Sequence, residues 1–174
     1  HAYPENIAPT IYAFAFEIPP APVPDKDSAA CYTVSTTEDL RWKRCNIKST
    51  ALLGNVMHYQ HGHSRGHSET LLYNEDRELT EAAACNVFVV KNGVVATPDL
   101  DHQKLPGITR LMVLDILRRD GSIPVEERVV MLDELDDERD GAITIDPQVL
   151  GEVHGGTVAP SLAVVLEHCI KLPA

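Results

Sequence analysis

Lys48 stands between the apolar Ile47 and a Ser49-Thr50 pair that reads as the start of a helix. A lysine held there by a strand end can have its ammonium group desolvated, which lowers its pKa and frees a nucleophilic amine. Further on, Leu105-Pro106-Gly107-Ile108-Thr109-Arg110 feeds a Pro-Gly turn into a helical pattern. The orphan N–H groups and dipole of such a helix start favour an anion. Glu81, in Leu79-Thr80-Glu81-Ala82, is a third candidate, although an isolated glutamate in that setting is usually a solvated charge. His58, His61, His63 and His67 invite a metal reading. No acidic or cysteine ligand accompanies them at useful spacing, so a solvated helix face is expected there and no metal. Nucleophile-elbow, P-loop and dinucleotide fingerprints do not occur in the chain.

The elements that must position these residues follow from periodicity. Strands are expected over Thr10–Ile18, which alternates large and small side chains, and over Cys31–Ser35, with a turn at Thr37–Asp39. Leu52, Leu53, Val56, Met57 and Gln60 recur at helical spacing, predicting a helix from Ser49 to about Ser64 capped by Ser49 or Thr50. Strands at Glu69–Tyr73 and Val87–Val90 flank a loop at Asn74–Arg77, and Asn92-Gly93 signals a hairpin into the strand Val94–Thr97. A helix runs from Gly107 to about Arg119, followed by a strand at Ile123–Glu127 and a short acidic helix over Leu132–Glu138. Ile143–Ile145 and a terminal helix over Ser161–Ile170 complete the series. Interleaved strands and helices with hairpins predict a mixed α/β sheet protein.

Composition narrows the function classes. The chain has 174 residues, 44% hydrophobic content and a net charge of -11. It is long enough for one well-filled domain, and its acidity argues against a nucleic-acid surface. Acidity also disfavours unaided capture of an anion, so any phosphate site must rest on local dipoles and specific cations. No apolar run approaches the roughly 18 residues that span a bilayer, and no signal-like segment opens the chain. Cys31, Cys45, Cys85 and Cys169 are widely spaced, which fits free thiols in a cytoplasmic protein, with Cys45 and Cys85 as small buried fillers.

The run Arg41-Trp42-Lys43-Arg44-Cys45-Asn46-Ile47-Lys48-Ser49 resembles the cofactor-lysine segment of the class IV (fold type IV) pyridoxal-phosphate aminotransferases. It looks nearest to the D-amino-acid aminotransferases. Thr80-Glu81-Ala82-Ala83-Ala84-Cys85-Asn86-Val87-Phe88 resembles that family's glutamate signature, and Leu105-Pro106-Gly107-Ile108-Thr109-Arg110 its phosphate turn. The resemblance implies the large cofactor-binding domain of that fold, with Lys48 as the Schiff-base lysine and proton shuttle. Glu81 would face the pyridine nitrogen, Leu105 would pack on the ring, and Gly107, Ile108 and Thr109 would hold the phosphate. His1 would be the remnant of a carboxylate-binding Arg-x-His. Beside that resemblance, Arg41 and Arg44 are candidates either to orient Glu81 or to form structural ion pairs. Alanines 82–84 replace hydroxyls often found in D-amino-acid enzymes.

The expected activity is transamination between an amino acid, D-alanine-like by preference, and a 2-oxo acid, in a homodimer without nucleic-acid or membrane partners. Branched-chain aminotransferase and aminodeoxychorismate lyase are the alternatives within the fold. A non-catalytic dimerisation fragment is the alternative from another class. Residues 1–174 read as a single large domain lacking the family's small N-terminal domain, and a segment bearing the second phosphate turn is expected to be missing between Asp140 and Gly141. On that reading the chain as given holds pyridoxal phosphate weakly or not at all.

Overall fold

The computed structural model describes residues 4–17, 32–135, 143–144 and 163–167. In chain order the elements are β1 (Thr33–Glu38), α1 (Leu53–His63), β2 (Glu69–Tyr73), β3 (Leu79–Ala82), β4 (Asn86–Lys91) and β5 (Val94–Pro98). They continue with α2 (Ile108–Asp120), β6 (Val125–Arg128), a single 3-10 turn (Leu132–Leu135), β7 (Ile143–Thr144) and β8 (Ala163–Glu167). Two four-stranded sheets result, ordered β3-β2-β1-β7 and β6-β5-β4-β8.

Side-chain alternation along the strands decides the layering. Val87 and Val89 of β4 join Val34, Leu71, Leu79 and Ala96 in a core between the sheets. Phe88 and Val90, on the opposite face, join Val95, Val113, Leu114 and Leu117 beneath α2. A period of two therefore splits one strand between two cores. The helices serve as crossovers: β1 and β2 run parallel across α1, and β5 and β6 parallel across α2. The β4–β5 hairpin turns at Asn92 and Gly93, both with positive φ (54° and 77°), the twist that matches flanking strands. α2 ends on Gly121 in the left-handed region.

α1 turns a polar face to the sheet. His58 and Gly62 are its buried residues, while Leu53, Val56 and Met57, the stripe that announces the helix in the sequence, are exposed. Gly62 brings the helix backbone against β1 and β2: its N–H donates to Thr70 Oγ1 at 3.1 Å. A β-carbon there would overlap Thr70 Oγ1, and would lie 2.8 Å from Ser35 Oγ and 3.0 Å from the Glu69 carbonyl.

Several sequence expectations change. Residues 10–17 form no strand and pair with none among the described residues, and Ile11, Tyr12, Phe14 and Phe16 are exposed; Ile18, the end of the expected strand, lies outside the described residues. β1 begins later than expected and runs on through the anticipated turn at Thr37, because parallel pairing with β2 extends to Glu38↔Tyr73. α1 begins at Leu53 without a side-chain cap, since Ser49 Oγ instead accepts the Ala51 N–H of a local turn. Leu79–Ala82, read only as motif, is a strand paired with β2 across a register shift. Ala163–Glu167, expected as helix, is a strand parallel to β4, in keeping with its Val164-Val165 pair. The acidic helix contracts to a 3-10 turn at Leu132–Leu135, and the remainder of that expected helix lies outside the described residues.

The Gly62 contact gives a test. Helix propensity alone favours alanine over glycine by about 1 kcal/mol. Overpacking against neighbours that include backbone costs about 1–3 kcal/mol. Gly62→Ala is therefore expected to lower the urea-unfolding free energy; equal or greater stability would show that α1 can lift off the sheet.

Candidate active site

β1 ends at Glu38, and residues 39–52 run as turns, bends and irregular backbone to α1. Arg41, early in this segment, points inward, and its side chain is only 3% exposed. Its Nε and Nη2 donate to the two oxygens of Asp39 at 2.9 and 2.7 Å. Its Nη1 donates to Glu81 Oε1 at 2.5 Å, and Nη2 also reaches the Gln103 carbonyl at 3.4 Å. Glu81 lies on β3, and its Oε2 accepts the Leu105 N–H at 2.9 Å. Thr80 Oγ1 donates to Asp39 Oδ2 at 2.8 Å. Glu81 is thus held at both oxygens.

Two carboxylates share one guanidinium, so the cluster is short of one positive charge. Burial pushes the Glu81 carboxyl above its usual range, opposed by the Arg41 guanidinium and the Leu105 amide and reinforced by the charge on Asp39. Burial also works against ionised Asp39, but hydrogen bonds from Arg41 and Thr80 outweigh it and leave that carboxyl below its usual range. Burial penalises the guanidinium's own charge too, yet the two carboxylates raise its affinity for its proton.

The anion turn is fixed from the same cluster. Besides donating to Glu81, Leu105 accepts at its carbonyl from Asn86 Nδ2 at 2.9 Å and from the Gly107 N–H at 2.8 Å. Gly107 is the N-cap of α2 and makes no side-chain cap bond. A β-carbon on Gly107 would overlap Asn86 Oδ1, so a larger residue there would have to displace the Asn86 side chain that holds the Leu105 carbonyl. Arg110, next in the motif, turns away and is buried on the Pro98 carbonyl and Glu127.

Lys48, Glu81, Leu105, Gly107, Ile108 and Thr109 all line one open cleft of about 850 Å³, together with Arg41 and the alanines 82–84. Residues brought from three distant parts of the sequence therefore face the same space. Lys48 lines it in an exposed position and is not desolvated at a strand end as the sequence suggested; β1 stops ten residues earlier, at Glu38. Arg44 is exposed, and the partners of Glu81 are Arg41 and the Leu105 amide, so Arg44 does not orient it. His1 lies outside the described residues. Among the described residues no cluster of potential metal ligands forms.

The sequence reading missed Asp39, Thr80, Asn55 and Asn86. Asn55 donates from α1 to the Ala83 carbonyl at 2.8 Å, and Asn86 spans from β4 to the anion turn. Polar residues beside motif residues were the available signal. His58 is buried, not on a solvated face, and its Nε2 accepts the Leu40 N–H at 3.2 Å. Cys45 is the buried filler expected, whereas the partly buried Cys85 donates its thiol to Glu69 Oε2 at 3.2 Å. Burial, with Glu69 beside it, pushes the Cys85 thiol above its usual range.

The family model for amino-transferase class IV matches residues 1–144. A D-alanine aminotransferase of Listeria monocytogenes is 40% identical over 103 residues, covering 59% of this chain and 35% of its own length. A D-alanine aminotransferase of Bacillus licheniformis is 32% identical over 181 residues, covering 98% of this chain and 62% of its own. The branched-chain amino acid aminotransferase of Thermobaculum terrenum, solved in its PLP form, superposes with a TM-score of 0.58 at 25% identity over 62% of this chain and 37% of its own. This chain therefore spans about one third to three fifths of the length of these relatives.

Two outcomes test the cluster. Arg41→Met leaves Glu81 and Asp39 buried without their cation and is expected to cost about 3–5 kcal/mol of stability. Adding Glu81→Gln and Asp39→Asn should return most of it; denaturant unfolding of the single and triple variants reads both. His58 supplies a pH test. Its pKa is lowered by burial and by Arg41 and His61, against the pull of Asp39, so the unfolded chain takes up the proton first. Stability is accordingly full above the ordinary histidine value of about 6.5 and is lost as pH falls below it. His58→Gln, which can still accept the Leu40 N–H, should flatten that loss.

Proposed function

We propose, for a chain that belongs to the class IV aminotransferase family, that the cleft holds pyridoxal 5′-phosphate and serves transamination between an amino acid and a 2-oxo acid. The observation that carries this reading is the convergence of Lys48, the pinned Glu81 and the helix start at Gly107–Thr109 on one cleft. The donor set fits the cofactor. A residual negative charge sits where a cationic pyridine nitrogen would be stabilised. The Leu105 side chain offers an apolar face for the ring, and the α2 start offers amides for a phosphate. The cleft lies within the usual size of small-molecule sites.

When bound, pyridoxal phosphate supplies an aldehyde that amines add to and a ring that takes up the electron pair released at the substrate Cα. The residues of the chain divide the remaining work. Lys48, the one lysine lining the cleft among the described residues, is the amine that anchors the cofactor and moves a proton at the substrate Cα. Glu81 keeps the ring nitrogen protonated, and Arg41 keeps Glu81 oriented. Ile108 and Thr109 bind the phosphate through their amides.

D-Alanine is the preferred amino donor on this reading, supported by the D-alanine aminotransferases that the chain resembles. A branched-chain substrate is the second reading, supported by the Thermobaculum structure. Dimer formation is part of the proposal, and the exposed apolar side chains of α1 support it. Incubation of the full gene product with D-alanine and 2-oxoglutarate is expected to yield pyruvate and glutamate, with L-leucine a poor donor; the reverse preference selects the second reading. Lys48→Ala should lower turnover at least about a thousandfold. After borohydride reduction, mass spectrometry should find the cofactor on the Lys48 peptide, and its retention on another residue would overturn the assignment.

A further inference from the structure

Asp39 contributes no atom to the cleft lining, yet it takes more of Arg41 than Glu81 does. Its two oxygens occupy Nε and Nη2, the fork that would otherwise close on Glu81 as a bidentate pair. Glu81 is left with the single donor Nη1 on one oxygen and the Leu105 amide on the other. Asp39 is itself held by the Thr80 hydroxyl and by its own N–H, which donates to the Tyr73 carbonyl at 2.7 Å. Thr80 is the neighbour of Glu81 on β3, so clamp and acid share a strand.

Resting on the proposed cofactor reading, we propose that Asp39 is a positioning residue that claims the Arg41 fork, so that Glu81 faces the cleft with an unneutralised negative charge and selects a ligand bearing a protonatable ring nitrogen. Without Asp39, one guanidinium would balance one carboxylate, and the acid end of the cleft would be neutral. With it, the cluster carries one excess negative charge that a pyridinium cancels. The charged groups facing this cluster, Arg41 and Glu81 with Asp39, lie in a water-poor setting where such a charge acts strongly.

The test compares two probes on the full gene product: pyridoxal 5′-phosphate, and its 1-deaza analogue in which a C–H replaces the ring nitrogen. Affinities are read from equilibrium binding, with no turnover required. Asp39→Asn is expected to weaken pyridoxal phosphate by about ten- to thirtyfold while leaving the deaza analogue within about twofold. Asp39→Glu, which keeps the charge, should restore most of the ratio. If the Asn variant does not fold, Asp39→Ser serves, and the same change of ratio is expected. Equal weakening of both probes would reduce Asp39 to a structural residue and leave the cofactor reading standing. A wild-type protein that binds neither probe would overturn the cofactor reading and this inference with it.

Discussion

One buried guanidinium organises the functional half of the molecule. Arg41 joins the chain just after β1, the strand β3 through Glu81, and the carbonyl of Gln103 in the loop before α2. These contacts bridge 2, 40 and 62 residues of sequence. A buried ion pair adds little net stability over an apolar replacement, because desolvation consumes the Coulomb gain. Its value is geometric: an arginine fork satisfied at fixed angles admits one arrangement of its partners. The Leu105 amide extends that arrangement to the anion turn, and Asn86 ties the same turn to β4. Remove the guanidinium, and acid, turn and strand end lose their common reference.

The acid and the amine of the cleft are held very differently. Glu81 is 6% exposed, and both of its oxygens are bonded. The segment carrying Lys48 is tethered by sparse backbone bonds, among them Ile47 N–H to the Arg44 carbonyl and a long 3.4 Å bond from the Asn46 N–H to the His102 carbonyl. Few buried contacts and exposed backbone bonds mark the low-stability end of a structure. The contrast suits the proposed chemistry. Electrostatic stabilisation works through groups that do not reorganise during reaction. A group that bonds, releases and carries a proton needs room to move.

The motifs were legible because they are local. Lys48, Glu81, Leu105 and Gly107–Thr109 could each be read from a short run, and the structure gathers them on one cleft. The paired strands β2, β4 and β5 and the helix α2 were equally legible, since their periodicity matches what they bury. What the sequence concealed depends on partners far away in the chain. Leu53, Val56 and Met57 have a helix's period but face outward, because Gly62 and His58 make the contact with the sheet. Thr10–Ile18 has a strand's alternation, but its described part, residues 10–17, pairs with no strand among the described residues. Arg41 and Arg44 look alike in the sequence; only the fold distinguishes the one that meets Glu81. Asp39 stood beside the motif as one more polar residue, and its role exists only once Arg41 has been claimed from two sides.

The alanines at 82–84 follow from the same logic of satisfaction from behind. Ala82 N–H donates to the Cys85 carbonyl and Ala83 N–H to the Thr70 carbonyl, while Asn55 donates to the Ala83 carbonyl. The buried Glu69 carboxyl, raised above its usual range by burial, is drawn back by the amides of Thr70, Ala83 and Ala84 and by the Cys85 thiol. The turn therefore spends its backbone polar groups on the protein beneath it. Side-chain hydroxyls are not needed to hold its shape: Ala82 packs into the core between the sheets, Ala83 is buried, and Ala84 is the exposed member of the run. The polar end of the cleft, by contrast, is held from the side by Arg41, which reaches Glu81 and the Gln103 carbonyl at once.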